Sequence, residues 1–415
     1  RHVIQRSTAR RGITKWLYNL FGEESWAAAS SLAVPDWFAE GDAVWSETVL
    51  SGQGRGRIPN FLKGYRTLAL EDKNISYVKA RNGSIRDYVP DHYRLGYLMV
   101  DHGQKQYGYS LWKDVFMDAS AYRGMIYPFS NALKRVTGAS TRDFYENMIS
   151  ERTDLWKQRQ TMMQARPVYH PLQIPKTFTD HLYPRLSPTG DIIYFQRSYH
   201  QTGAYFYVNE HGTAHKMISR GISSEIYYGY NKGWLAWTEM TQDPRWVERN
   251  YSNIILYHEL SDKRIKVTTR GKYFAPQPSA DGSRIVAVHQ GEDMQSKLEV
   301  LDTRTGDTKY TFKGPADWVF TYPQWYRGTQ SIISAVRSAQ GEMALVKVDV
   351  ASDSVSLLLP FRNTVIGSPW IDGEVVVYSA HHDLSEQIYQ TSIDNGSTAR
   401  LTLEPNGAFQ PFKRG

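Results

Sequence analysis

The spacing of apolar residues changes near residue 166. Before it, apolar positions recur at helical intervals; beyond it they alternate with polar ones in short runs bounded by Gly-Asp or Asp-Gly turns. In the first part, Phe38, Val44, Trp45 and Val49 are compatible with one buried helical face. Pro35 and Asp36 can start that helix, because Pro suits a first turn and a carboxylate suits the positive end of the helix dipole. Further helices are predicted from Tyr93 to Tyr107, from Ser110 to Asp118 and from Phe129 to Val136, the last stopped by Gly138. Ser140-Thr141-Arg142-Asp143 then starts a helix running to about Arg159. Its Thr-x-x-Phe spacing lacks the acidic partner of a capping box, so Ser140 or Thr141 is expected to cap the end alone. Gly52-Gln53-Gly54-Arg55-Gly56-Arg57 is too flexible for a helix interior and reads as a loop.

The second part repeats itself. Tyr183-Pro184-Arg185-Leu186-Ser187-Pro188-Thr189-Gly190-Asp191 aligns with Ala275-Pro276-Gln277-Pro278-Ser279-Ala280-Asp281-Gly282-Ser283. Weaker copies occur at Tyr322-Pro323-Gln324-Trp325, before Gly328, and at Ser368-Pro369-Trp370-Ile371-Asp372-Gly373; a degenerate copy near Gly233 lacks the Pro. From Gly190 the turn glycines 233, 282, 328 and 373 follow at intervals of 43, 49, 46 and 45 residues. Units also end alike, in alternating strands such as Leu298-Glu299-Val300-Leu301 and Ala344-Leu345-Val346-Lys347-Val348. Periods in the forties with four strands each are those of propeller blades. The P-x-h-S-x-D-G-x-x-I pattern resembles TolB-like propellers, with about five blades over residues 183–415. That likeness bears on fold and not on function, since propellers host enzymes, scaffolds and ligand traps. Ala408 to Gly415 reads as the opening of another blade, with Pro411 placed 42 residues after Pro369. A propeller closes to protect its edge strands, so one or more further blades are expected beyond this chain.

The expected fold class is therefore multidomain α+β: a mainly helical domain over residues 1–165 and an all-β propeller over 166–415. The length of 415 residues allows two or three domains, and 41% hydrophobic with 13% aromatic residues is ample for their cores. The net charge of +7 is spread along the chain, apart from a modest cluster at Arg6, Arg10, Arg11 and Lys15. Nucleic-acid binding needs a concentrated basic stripe and a recognisable module, and neither is present. No apolar run reaches the length of a membrane span. With no Cys, disulfides, thiolate zinc sites and a Cys nucleophile are excluded in this portion. G-x-S-x-G, the serine-nucleophile turn of hydrolases that accompany some propellers, does not occur; Gly108-Tyr109-Ser110-Leu111-Trp112 lacks its final Gly. Tyr199, His200, His381 and His382 are expected to decorate propeller loops.

The candidate chemistry lies at Trp37-Phe38-Ala39-Glu40-Gly41-Asp42-Ala43. These residues resemble the W-[LF]-x-E-G-x-A pattern of the zinc aminopeptidases, members of the gluzincin metallopeptidases, at every specified position. The resemblance implies that Glu40 is the third zinc ligand, with Gly41 and Ala43 small enough for another helix to approach. The other two ligands and the general base of such enzymes come from H-E-x-x-H on an earlier helix. Arg1-His2-Val3-Ile4-Gln5 resembles the tail of H-E-x-R-H-V-x-Q, which makes His2 a ligand. The first His and the catalytic Glu are then expected three and two residues before Arg1, outside the chain. The spacing from His2 to Glu40 is longer than the aminopeptidases usually show, so an inserted segment is expected between them.

Tyr93-Arg94-Leu95-Gly96 resembles the Y-x-x-G segment whose Tyr donates to the oxyanion in these enzymes, with His92 and Tyr97 as neighbouring substitutes. The order of helices that follows resembles the C-terminal part of small bacterial gluzincin domains. Glu47, two turns beyond Glu40, either orients a ligand from behind or is a surface carboxylate. Arg55 and Arg57 either reach a substrate carboxylate, for which guanidinium is a planar fork, or belong to a basic surface loop. Together the resemblance implies zinc-dependent peptide-bond hydrolysis in the intact protein, on a peptide or protein substrate. The propeller would hold a protein partner or limit access to the cleft. By itself this chain is expected to bind zinc weakly and to be inactive. The alternative is a non-catalytic propeller scaffold carrying a relic zincin domain. The resemblance also suggests a bacterial cell-envelope protein, periplasmic or secreted.

Overall fold

The computed structural model of the chain describes residues 2, 3, 5, 10–52, 54–123, 126–163, 175, 177–209, 211–382 and 385–412. Arg1 and Arg6, Gln53, the side chain of His382 and residues 413–415 lie outside these. The chain divides into two compact units, Arg1–Ala165 and Arg166–Gly415.

The first unit is helical. Among the described residues its helices are α1 (Gly12–Phe21), α2 (Glu23–Ala33), α3 (Asp36–Leu50), α4 (Lys63–Leu70), α5 (Tyr77–Asn82), α6 (His92–Tyr107), α7 (Leu111–Ser120), α8 (Pro128–Thr137) and α9 (Thr141–Thr161). The segment expected between His2 and Glu40 is thus largely a helical pair, α1 and α2. Helix α8 stops at Gly138, which takes up the left-handed conformation at φ 80. The start of α9 corrects the sequence reading. Ser140 Oγ accepts from the amide of Asp143, whose carboxylate accepts in return from the amide of Ser140 at 3.2 Å. The acidic partner of a complete capping box is therefore present, counted from Ser140 and not from Thr141.

The core of this unit is aromatic. Trp37 meets Phe129 and Trp112 edge-on at centroid distances of 5.5 and 6.2 Å, and its indole N–H donates to the Tyr77 hydroxyl at 3.1 Å. Such pairs contribute beyond their burial because ring edges and faces carry opposite partial charge. The buried face of α3 departs from the expected one: Phe38 and Val44 are buried and Trp45 half-buried, while Val49 is exposed and Thr48 buried. Thr48 is covered because the loop after α3 folds back on it; its hydroxyl oxygen accepts from the amide of Gly56 at 3.1 Å. That loop includes a turn of 3₁₀ helix, Arg55–Arg57.

The second unit consists of five four-stranded antiparallel sheets, over residues 179–219, 229–266, 273–312, 319–362 and 366–400, taken below as blades 1 to 5. In every sheet the strands follow one another in chain order, the up-and-down arrangement of a propeller blade. The five repeat glycines, 190, 233, 282, 328 and 373, each lie between the first and second strands of a blade, with φ between 58 and 90.

A second regularity precedes the repeat prolines. Tyr183, Ala275, Tyr322 and Ser368 all have positive φ, between 47 and 55. The ladder between first and second strands shifts register at this point, for instance between Leu182 and Arg185 and between Thr321 and Gln324. These are bulges, and they turn individual N–H groups toward side-chain acceptors. The amide of Tyr183 donates to Gln410 Oε1 at 2.8 Å, and that of Ala275 to Glu225 Oε1 at 2.9 Å. Gln410, before Pro411, has the same backbone sign at φ 53. The degenerate copy in blade 2 has a steric reason. A Cβ on Gly229 would lie 2.1 Å from the Pro276 carbonyl oxygen of blade 3, so a side chain has no room there.

Tyrosines and amides pack where these first strands converge. Tyr227 meets Tyr183 and Tyr322 at 5.4 and 5.0 Å, and Gln324 donates to the Tyr227 hydroxyl at 2.8 Å. Arg185, 1% exposed, lies over the Trp370 ring at 4.5 Å. Among the described residues, no helix is long and apolar enough to cross a membrane.

Candidate functional site

Helices α3 and α6 cross at two glycines. A Cβ on Gly41 would lie 2.1 Å from the carbonyl carbon of Gly96, and one on Gly96 only 1.8 Å from the Trp37 carbonyl oxygen. The backbones therefore touch, and Glu40 and Tyr93, one and three residues before these glycines, are carried on helices at fixed separation. Asp91 caps α6 by accepting from the Arg94 amide at 3.2 Å, which sets Tyr93 in the first turn.

On α3, Glu40 faces His2. His2 Nε2 lies 3.5 Å from Glu40 Oε2, with side chains 49% and 28% exposed. His2 Nδ1 is 3.0 Å from Gln5 Oε1. The Gln5 amide nitrogen donates to the Ala39 carbonyl at 3.2 Å and to Asp42 Oδ2 at 2.8 Å, which orients the amide so that its oxygen faces the imidazole. An oxygen can only accept, so Nδ1 carries a proton; in the neutral ring Nε2 then presents a lone pair toward the carboxylate. Two electron-rich atoms held at this distance are reconciled by a second proton on the ring or by a cation between them. The geometry fits zinc. Zn–N and Zn–O bonds of about 2.0–2.2 Å at a tetrahedral angle separate their donor atoms by about 3.4 Å. The Gln5 contact is also the kind of outer partner that fixes a ligating imidazole. Among the described residues, however, no group of three His, Cys, Asp or Glu converges, so His2 and Glu40 supply two donors only.

Further along α3, Glu47 grips Arg55. The guanidinium donates to both carboxylate oxygens, Nε to Oε1 at 2.7 Å and Nη2 to Oε2 at 3.2 Å, and the Arg55 amide adds a third bond to Oε1 at 3.0 Å. These hydrogen bonds hold the Glu47 carboxyl below its ordinary value and keep Arg55 more firmly protonated. The held guanidinium lies 5.1 Å from the centre of the half-buried Tyr93 ring, a cation–π contact. The ring of His92 lies 4.4 Å from that of Tyr93. Tyr97, the other neighbouring tyrosine, is packed under the loop: a Cβ on Gly56 would meet its ring within 2.6 Å, and burial raises its hydroxyl to about 12. Arg57 is occupied with the end of α3, donating to the carbonyls of Thr48 at 3.0 Å and Ser51 at 3.1 Å, where a cation opposes the helix dipole.

Thus His2 meets Glu40, and Arg55 meets both Glu47 and Tyr93. Arg57 stands at the helix end. Gln5, to which the sequence reading gave no role, was signalled by its place three residues after His2. Tyr199 and His200 occupy the turn between the second and third strands of blade 1, as loop residues. His381, expected on a loop, lies instead on the strand Val375–His382, where burial lowers its pKa and its Nε2 has no hydrogen-bond partner among the described residues.

Replacing Arg55 with Ala should return the Glu47 pKa toward 4.5, readable by carboxyl NMR. Because the folded value is depressed, the pair stabilises the fold above the unfolded pKa, and this stability is lost as pH falls through the folded one. With side chains 41% and 38% exposed, its net worth is under about 1 kcal/mol. Unchanged Glu47 titration in Arg55→Ala would contradict the pairing.

No protein-family model matches the sequence, and no curated protein matches it. Structural neighbours of the propeller include TolB from Acinetobacter baumannii, with 14% identity, a TM-score of 0.44 and coverage of 54% of each chain. The chain thus spans about half the length of that protein. A putative TolB from Agrobacterium tumefaciens gives 16% identity and a TM-score of 0.42, over 55% of this chain and 81% of that one. An acylaminoacyl peptidase from Pyrococcus horikoshii gives 13% and 0.32, over 42% of this chain and 32% of that one. At these values the likeness is one of propeller architecture and carries no activity with it.

Proposed function

We propose that His2 and Glu40 are two ligands of a zinc centre, and that the helical unit serves zinc-dependent hydrolysis of peptide bonds in the intact protein. The observation that supports this most is the 3.5 Å approach of His2 Nε2 to Glu40 Oε2, with Nδ1 tied down by Gln5. Zinc at such a site polarises a carbonyl and lowers the pKa of water. Tyr93 is the donor for charge developing on the scissile oxygen, a role typically worth about 2.7–4 kcal/mol. Arg55, anchored by Glu47, positions the Tyr93 ring from its face. The remaining His and the general-base Glu belong, on this reading, to residues preceding Arg1 in an H-E-x-R-H segment. The propeller holds a protein partner or limits access to the cleft. The resemblance to bacterial enzymes favours the cell envelope, periplasmic or secreted.

Residues 1–415 by themselves should bind zinc weakly and hydrolyse no peptide, since this reading assigns them two ligands, His2 and Glu40, and no general base. Zinc titration against a competing chelator checks this: His2→Ala and Glu40→Gln should each weaken binding by about tenfold or more. In a protein extended upstream, Tyr93→Phe should lower kcat by about 10²–10³. Zinc affinity indifferent to both ligand variants, or robust zinc-dependent hydrolysis by residues 1–415 alone, overturns the reading. The relic-domain alternative draws on the absence of a third ligand among the described residues. The upstream sequence separates the two, since an intact H-E favours the enzyme and a lost first His or Glu favours the scaffold.

A further inference from the structure

Blades 3 and 4 enclose a pocket of about 320 Å³ that the hydrolase reading does not use. Its walls are apolar, formed chiefly by Phe274 and Val288 of blade 3, Met294, and Phe320 of blade 4. The charged residue that lines it is Glu225, from the segment leading into blade 2. Glu225 Oε1 is occupied: it accepts from the Ala275 amide at 2.9 Å, freed by the bulge there, and from the Thr238 hydroxyl at 3.0 Å. Oε2 accepts no hydrogen bond among the described residues. The cation that acts on this carboxylate, Arg220, donates to it through neither terminal nitrogen: Nη1 goes to the Ile226 carbonyl at 2.6 Å, and Nη2 to the Glu225 carbonyl at 2.6 Å and Ser223 Oγ at 2.9 Å.

An amide side chain would accept the same two bonds, so holding Ala275 and Thr238 does not require a charge at this position. Burying an ionised carboxylate is costly unless something pairs with it. Here burial raises the carboxyl to about 7, so protonated and ionised forms are both populated near neutral pH. The pocket has the size of a small-molecule site, at the lower end of the usual range of about 300–1,000 Å³. Anions are repelled by Glu225, and a neutral apolar molecule leaves Oε2 unpaired.

We propose that this pocket binds a small organic cation, a protonated primary amine on an apolar or aromatic body, with the ammonium on Glu225 Oε2 and the body against Phe274, Val288 and Phe320.

Phenethylamine is the probe, with 2-phenylethanol as its uncharged counterpart, titrated into the full chain by calorimetry at pH 6 and pH 8.5. Besides Arg220, the groups coupled to Glu225 are Tyr183, Tyr205 and Tyr322, all pushed up by burial and therefore neutral over this range. Glu225 is mostly protonated at pH 6 and mostly ionised at 8.5, while the amine stays protonated. Phenethylamine should therefore bind about tenfold more tightly at the higher pH, and the alcohol weakly and without pH dependence. Glu225→Gln should abolish the preference for the amine. Should that variant misfold, Val319→Trp serves instead, since Val319 lines the pocket and is 51% exposed; it should exclude both probes. Absence of saturable phenethylamine binding, equal affinity for amine and alcohol, or binding unaffected by Val319→Trp each overturns the proposal.

Discussion

Replacing Gly96 with Ala should destabilise the helical unit by about 3 kcal/mol or more, the upper range of what overpacking causes. The added methyl would lie 1.8 Å from the Trp37 carbonyl oxygen and 2.7 Å from the Gly41 Cα, and both obstacles are backbone. No side-chain rotation relieves such a clash; α3 and α6 must move apart. Alanine improves intrinsic helix propensity by about 1 kcal/mol, which does not offset the separation. Gly52→Ala is the control, since a Cβ there meets nothing within 4 Å, and it should stay within about 0.5 kcal/mol of the parent. Urea unfolding gives the magnitude, and hydrogen exchange across residues 36–50 and 92–107 gives the place. Parental protection of both helices in Gly96→Ala would falsify the close crossing.

Trp237→Ala should cost the propeller about 3–5 kcal/mol, as large-to-small changes of a buried Trp do. Trp237 is fully buried, packs on Tyr205 at 5.0 Å, and donates its indole N–H to Glu239 Oε1 at 2.9 Å. Glu239 also accepts from the Gly221 amide at 3.0 Å and from Arg264 at 2.6 Å, and with the indole these bonds outweigh its burial and leave its pKa lowered. Trp237→Phe separates the two contributions. It keeps much of the ring volume and removes one of several bonds to a carboxylate that retains the others, so about 1–3 kcal/mol should be lost. Thermal unfolding of both variants, with exchange measured over residues 234–258, should rank Ala well below Phe. Equal losses would mean that the hydrogen bond, and not the filled volume, carries the stability.

The blades were legible because each turn between first and second strands needs a residue at positive φ, and glycine marks it at a nearly constant interval. The bulges beside them were not. Tyr183, Ala275, Tyr322 and Ser368 share no side-chain property, and a residue before proline ordinarily favours extended backbone. Their conformation follows from the ladder around them. In the helical unit, the spans from α6 to α9 could be read from periodicity and from Gly138. Residues 12–33 and 63–82, which form α1, α2, α4 and α5, drew no assignment.

The site divides in the same way. Glu40, Gly41, Tyr93 and Gly96 stand out as residue types at fixed spacing, and their glycines turn out to meet. The grip of Glu47 on Arg55 depends on how a glycine-rich loop folds back, which spacing does not encode. Glu225 sits in a stretch without turn or strand signal, and only the packing of blades 2, 3 and 4 makes its carboxylate unusual.

The chain-order strand pairing of the five sheets bears on how the propeller is made. Within each sheet consecutive strands pair, so every ladder closes over a few tens of residues at most. Low sequence separation between contacts favours fast folding, because little loop entropy is lost before contacts form. A ribosome adding about 5–20 residues per second takes seconds to deliver one blade, whereas an isolated hairpin closes in about 1–10 μs. Each blade can therefore complete its ladders while the next is still being synthesised, leaving the docking of finished blades as the slow step.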